Sequence, residues 1–494
     1  MSRDATSPAI PAAKPLHGQW RISDGNLPPL DGAARHDVGR WRLEAFPTTT
    51  IRPLIDGSGG RVGLLAGTVI DHAAPALLDG PVRLDLPADA SGLDAAMERG
   101  LYRYGGSWLA IVTAGGKERV YLDADGTLSC VYNPVARTAA STAGLLLDDA
   151  SYSARFDAAL HASLDVAGEG WFPSGLTAHK GIQRLLCNHT LDLATFQPLR
   201  HWPVQGFTHR GALHESALEV ADIVRRQAEA LLAKGKVVVA LTGGNETRFL
   251  LAAYRPILKE LSFVTVSAPA TQRDVVIAKA LAERFGLRHL ILPLVEASEA
   301  EQAAWAYAAG HCVTGPNMVS HPSIRPLQGR FDWFLGGLGG EIGRAFFWRP
   351  TDTPEMRLEV EDLVPRFGMP PADAVTEATA AWLEGVSGFD ALTRLDLAYL
   401  ELRMSAWSAA QTYAQSFVNH LHPLIHRDVY SLMLDLPPEA KRGNLLIKEA
   451  VAALWPELGE IPINRYGDYR DVLHVLKRSA DHKRVLKKLR KLFG

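Results

Sequence analysis

The hydrophobic rhythm of the chain changes once, near residue 210. Before that point, short runs of alternating apolar and polar residues are broken by glycine, as from Arg61 to Ile70, Ser107 to Val112 and Arg119 to Leu122. Period-two alternation with turn residues between the runs predicts antiparallel sheet. From about His214, β-branched runs alternate with amphipathic segments of helical length. A strand ending at Leu241 leads to a helix through Phe249 and Leu250, followed by a strand over 261–267, a helix over 274–285 and a strand over 289–294. Such units predict a parallel sheet with helices on both faces and ligands at the carboxyl ends of its strands. After Arg349 the pattern is mostly helical, with loops at the prolines. The expected fold class is therefore antiparallel β-rich (α+β) in the first half and α/β with a helical C-terminal part in the second. The expected boundaries are a flexible lead at 1–19, one domain at 20–205, another at 214–470 and a basic C-terminal helix at 471–494.

The strand that begins at Lys236 breaks at Leu241 into Thr242-Gly243-Gly244-Asn245-Glu246-Thr247-Arg248. Glycines let the main chain approach an anion closely. The N–H groups that open the next helix have no intrahelical partner and point at the same place. A second cluster, Leu335-Gly336-Gly337-Leu338-Gly339-Gly340-Glu341, follows the apolar pair Trp333-Phe334. One glycine pair after a strand is also what an ordinary strand-to-helix turn contains. Two such turns, each ending in an acid, are what gripping a magnesium triphosphate requires.

With these motifs in view, the chain resembles the asparagine synthetase and β-lactam synthetase superfamily, whose ATP pyrophosphatase domain activates substrates by adenylation. The first turn is similar to the family's Ser-Gly-Gly-x-Asp-Ser loop, with Thr242, Glu246 and Thr247 at the Ser, Asp and last Ser positions. The second is similar to Ser-Gly-Glu-Gly-Ala-Asp, with Gly336, Leu338 and Glu341 at the Ser, Glu and Asp positions. The resemblance implies ATP bound by Leu241, Thr242, Gly243, Gly244, Asn245, Glu246, Thr247, Gly336 and Gly337, with adenine at the backbone of Val266 and Ser267. It also implies Mg2+ held by Glu246 and Glu341. Both are glutamates where the family has aspartates, each reaching about 1.5 Å further, which suggests a retained but reshaped metal site; two ordinary solvated acids are the alternative. Lys448-Glu449-Ala450, before Leu454-Trp455-Pro456, resembles the segment whose lysine stabilises charge as pyrophosphate departs. Lys448 is thus the catalytic candidate, with a plain surface lysine as the alternative.

The first half is similar to the family's glutaminase domain, of Ntn-hydrolase type, at Gly67-Thr68-Val69-Ile70, at Tyr121 to Gly126 and at Gly181 to His189. That glutaminase uses a cysteine directly after the initiator Met, where this chain has Ser2. Cys130, Cys187 and Cys312 lie far from the start. The expectation is a degenerate glutaminase-like domain serving as scaffold, without glutamine hydrolysis. Leu338 cannot move a proton, and Asn419 and Leu421 stand where the family has Glu and Arg, which argues against aspartate as substrate. His420 and His422 are the nearest candidates for a base, and structural histidines are the alternative.

Composition narrows the remaining classes. A net charge of -2 gives no general attraction to nucleic acid or anionic membranes, and no run reaches the roughly 18 apolar residues of a membrane span. Three widely spaced cysteines suggest neither a disulfide framework nor a cysteine zinc site, which fits a reducing cytoplasm. The basic amphipathic segment from Leu476 to Phe493 has the chemistry to meet acidic lipid, RNA or a carrier protein, and a solvated terminal helix is the plain reading. The expected function is an ATP-dependent, AMP-forming ligase joining a small-molecule or peptide carboxylate to an amine. The alternative is a catalytically inactive nucleotide-binding or scaffold protein. Whether the chain forms a homodimer is left open.

Overall fold

Strand alternation in the first two hundred residues resolves into two largely antiparallel sheets. In the six-stranded sheet, Trp20–Ser23 pairs with both Trp41–Ala45 and Thr138–Ala140. The eight-stranded sheet is built on Arg61–Asp71, paired from Gly63 to Ile70 with Gly105–Ala114, and among the described residues its one parallel pair joins Ile51–Ile55 to Val82–Arg83. Gly67 has φ +106° there, and a Cβ on it would lie 2.2 Å from the Ser107 carbonyl oxygen, so only glycine fits. The computed structural model describes residues 8–471 apart from 26, 87–91, 167, 169, 314, 415–416 and 469. Ser2 and the predicted basic C-terminal helix beyond 471 lie outside the described residues. Residues 8–19, expected as a flexible lead, run against the fold: Ile10 and Leu16 pack on buried clusters and Lys14 pairs with Asp149 at 2.5 Å.

All five strands of the third sheet are parallel: β1 (Val237–Ala240), β2 (Ser262–Ser267), β3 (His289–Pro293), β4 (Trp333–Leu335) and β5 (Asn419–Leu421), in the spatial order β3-β2-β1-β4-β5. The Val237 and Val239 side chains enter one buried cluster and Val238 enters another, so β1 is covered on both faces, as its unbroken β-branched run requires. Helices α1 (Leu213–Leu232), α2 (Asn245–Ala253), α3 (Gln272–Phe285), α4 (Arg427–Leu434) and α5 (Leu445–Leu454) surround this sheet and its helical extension. β5 lies within the stretch read from sequence as mostly helical. Three residues are too few for alternation to show, and pairing with β4 supplies what local pattern lacks. Among the described residues no helix is long and apolar enough to cross a membrane.

A buried ion pair ties the antiparallel strands to the helices that follow the parallel sheet. Glu401, on a π-helical turn over Tyr399–Met404 and fully buried, receives both terminal nitrogens of Arg200 at 2.7 Å, Asn188 Nδ2 at 2.9 Å and Trp382 Nε1 at 2.7 Å. Burial pushes the Glu401 carboxyl up, and the Arg200 charge and hydrogen bonds, with His189 and Asn188, together outweigh this and leave it below the ordinary glutamate range. Its contribution to stability is therefore present above the ordinary glutamate pKa and lost as pH falls through the lower folded value. Glu401→Ala is expected to lower unfolding free energy by about 3–5 kcal/mol in urea titrations at neutral pH, with the gap narrowing in acid. A neutral-pH loss under about 1 kcal/mol, the scale of an exposed pair, would show that the pair is not the tie.

Candidate functional site

β1 and β4 are hydrogen-bonded neighbours, with Val239 opposite Leu335, yet the chain leaves them toward strands on opposite sides. This is the topological switch point of the sheet, where strand order reverses and a crevice opens. Both glycine-rich turns emerge here. A Cβ on Gly337 would lie 2.7 Å from Glu246 Cβ, and one on Gly340 would lie 2.7 Å from Glu246 Cγ. The second turn thus lies directly along the stem of Glu246. The longer acid is accommodated because two glycines leave room for its methylenes.

In the first turn the hydrogen bonds are largely internal. Gly243 N–H donates to Asp274 Oδ1 of α3 at 2.8 Å and Gly244 N–H to Thr242 Oγ1 at 3.1 Å. Thr242 and Thr247 hydroxyls lie 3.0 Å apart. Two amides expected to face an anion are therefore already engaged, leaving those of Asn245, Glu246 and Thr247, which open α2 and have no intrahelical acceptor. Asn464 covers the turn, its N–H donating to the Gly243 carbonyl at 2.8 Å. Arg248 holds that covering segment from beneath: it is buried and donates to the carbonyls of Leu458 and Ile461, and burial pulls its guanidinium down to about 10. Neither Asn464 nor this use of Arg248 has a motif that sequence reading could find.

Between the two acids sits Arg344. Its Nε donates to Glu246 at 2.7 Å and its Nη2 lies 3.5 Å from Glu341, whose Oε2 also accepts the Gly339 N–H at 3.2 Å. Burial and then the Glu246 charge push the Glu341 carboxyl up to about 7, against the pull of Arg344. The donor chemistry suits magnesium, which takes hard oxygens from one or two carboxylates. The arrangement does not, because a guanidinium already occupies the shared side of both carboxylates. At the two acids expected to hold magnesium, Glu246 and Glu341, an internal cation stands between the carboxylates.

The other predicted residues fare differently. Leu241 is buried at the end of β1, its carbonyl accepting from Thr265 Oγ1 at 2.6 Å. At the backbone expected to meet adenine, Thr271 Oγ1 donates to the Val266 carbonyl at 2.8 Å and Leu294 N–H to that of Ser267 at 3.1 Å. Asn245 accepts from Asn444 Nδ2 at 2.9 Å, which ties the start of α5 to the first turn. Lys448, one helical turn further along α5, is exposed and forms no ion pair among the described residues, so its ammonium is not brought into the turns. Gly336 abuts His422: a Cβ on it would meet the ring at 2.6 Å. Burial pulls His420 down to about 3 and His422 to about 4, and His420 stacks on Phe334 with ring centroids 4.4 Å apart. Their ring nitrogens are buried, and both rings form part of the wall.

No family model and no curated protein matches the chain. Among solved structures 22 chains match. One, described as the "structure of the allosteric regulatory enzyme of purine biosynthesis", is 9% identical over 67% of this chain and 69% of that one, with a TM-score of 0.19. A score that low carries no argument about fold or chemistry.

The raised Glu341 carboxyl has a measurable sign. A pKa higher in the folded than in the unfolded state means stability is lost as pH rises through about 7. Glu341→Gln, which removes that charge, should melt above wild type at pH 8 and lose the advantage toward pH 5. An advantage independent of pH would contradict the arrangement.

Proposed function

We propose that the chain is an ATP-dependent, AMP-forming amide ligase of the asparagine synthetase and β-lactam synthetase superfamily. In this reading 214–470 is the ATP pyrophosphatase domain and 20–205 a degenerate glutaminase-like scaffold. The observation that carries the proposal is the convergence of the two glycine-rich turns at the switch point of a parallel β3-β2-β1-β4-β5 sheet. In the proposed complex the amides of Asn245, Glu246 and Thr247 and the hydroxyls of Thr242 and Thr247 face the phosphates, with Gly336 and Gly337 as the opposite wall. Adenylation builds negative charge on departing pyrophosphate, which a nearby cation stabilises. Lys448 has the freedom to swing toward the turn that Asn444 anchors, and Arg344 is the cation already inside. No step is assigned to magnesium.

Glutamine hydrolysis is left out of the proposed reaction. Cys130 and Cys187 are wholly buried and their thiols are pushed well above the ordinary range, the reverse of what a nucleophilic thiolate requires. The amine is therefore proposed to come from a small molecule or peptide directly, in the cytoplasm. Leu338 and the closed Glu246–Arg344–Glu341 group favour a second reading, a nucleotide-binding scaffold without catalysis.

ATP–pyrophosphate exchange, screened over a broad panel of carboxylates, tests the proposal. Wild type should exchange with at least one carboxylate. Lys448→Ala should hold ATP affinity within a few fold while exchange falls by roughly a hundredfold or more. Nucleotide binding without exchange would leave the scaffold, and absence of nucleotide binding would remove both readings. Supplied with glutamine, the protein should release no glutamate above a buffer control, and steady turnover would overturn the scaffold assignment of the first half.

A further inference from the structure

We infer that His72, His426 and Asp428 form a binding site for a divalent transition metal such as zinc, on the seam between the antiparallel strands and the helices around the parallel sheet. One potential ligand atom from each of the three lies within 4.8 Å of the other two. The His72 and His426 rings meet edge to face with centroids 4.8 Å apart. Two neutral imidazoles and a carboxylate are a donor set that zinc favours. Three protein ligands leave the fourth tetrahedral position to water.

Both histidines are held in place from outside the cluster. His72 follows directly on the strand Arg61–Asp71, and Arg226 of α1 donates to the carbonyls of His72 and Ala73. His426 precedes α4, and its Nδ1 lies 3.8 Å from Asp428 Oδ2 and accepts the Asp428 N–H at 3.1 Å, so Nδ1 is the ring's ligand atom and an ion there takes the place of that N–H. His72 Nδ1 is buried and has no hydrogen-bond partner among the described residues. A buried polar atom left so costs on the order of 1–3 kcal/mol, which gives this nitrogen a reason to be filled.

The charged neighbours do not compete. Arg427 turns away, its Nε 3.2 Å from Glu98 and its Nη1 donating to Asn188, and Arg103 lies 3.9 Å from Asp71. No guanidinium is paired with Asp428 among the described residues, in contrast to the Glu246 and Glu341 pair. Zinc–ligand bonds of about 2.0–2.2 Å space tetrahedral ligands roughly 3.4 Å apart, so the three must draw in slightly. His72 is half-buried and Asp428 exposed, so both have room to move toward the fixed His426 and to admit an ion from solvent.

The test uses the full chain without a histidine tag, stripped with a chelator and titrated with Zn2+ by calorimetry and with Co2+ by visible absorption. Wild type should bind one ion per chain, melt higher with zinc and give the intense absorption of tetrahedral Co2+. His72→Ala and Asp428→Asn, the two accessible ligands, should each weaken zinc binding at least tenfold and abolish the cobalt spectrum while their metal-free melting stays within a degree or so of wild type. No saturable zinc uptake by wild type, or unchanged affinity in both variants, would overturn the site and leave a pair of packed histidines.

Discussion

The pairing of β1 with β4 is the constraint on which the candidate site depends. Had either strand been placed elsewhere in the sheet, the two glycine-rich turns would open at separate points and Glu246 would lose its neighbours. With Val237 to Val239 registered against Trp333 to Leu335, the turns must leave the sheet side by side. That closeness sets residue size: side chains at Gly337 and Gly340 would occupy the space that the stem of Glu246 fills, and one at Gly243 would strike Ile277 of α3 at 2.4 Å. Packing alone therefore demands these glycines, so their presence is not by itself a sign of phosphate. What bears on function is where the packing directs the amides of α2, toward the mouth of the switch point.

Electrostatics then limits what that mouth can receive. Glu246, Arg344 and Glu341 together carry one net negative charge when both acids are ionised, and none when Glu341 holds a proton. With Glu341 pushed up to about 7, the group stands between these states at neutral pH. A polyphosphate approaching the α2 amides is thus repelled less as Glu341 gains its proton. The guanidinium offsets part of the repulsion between the two acids in a half-buried place, a task a divalent ion performs where acids alone converge.

Legibility followed interaction range. β1, β2 and β3 and the helix after β2 stood out because each is written in a local run of β-branched, apolar or amphipathic residues, and their observed limits differ from the expected ones by one or two residues. The first turn was visible as a local break of a β-branched run. β5 was not, since three residues become a strand only through β4. No motif marks Arg344; the fold sets it between Glu246 and Glu341, which are 95 positions apart in sequence and converge through the sheet. Lys448 shows the reverse: a motif marks it, while packing of Leu446, Ile447, Ala450 and Val451 turns it outward.

The antiparallel half has a physical role beside this site. β5 is the edge of the parallel sheet, and an uncovered edge leaves its backbone groups open to other chains. Here Gly67, Thr68 and Ser107 of the antiparallel strands share the walls of a cavity of about 90 Å³ with Trp333, Asn419, His420 and Leu421. The edge is thereby roofed by the other half of the chain. β5 in turn positions the second turn, since the Leu421 carbonyl accepts the Gly336 N–H at 3.0 Å. The antiparallel strands around Gly67 thus lie beside the strand from which the second turn hangs, and that turn packs along the stem of Glu246.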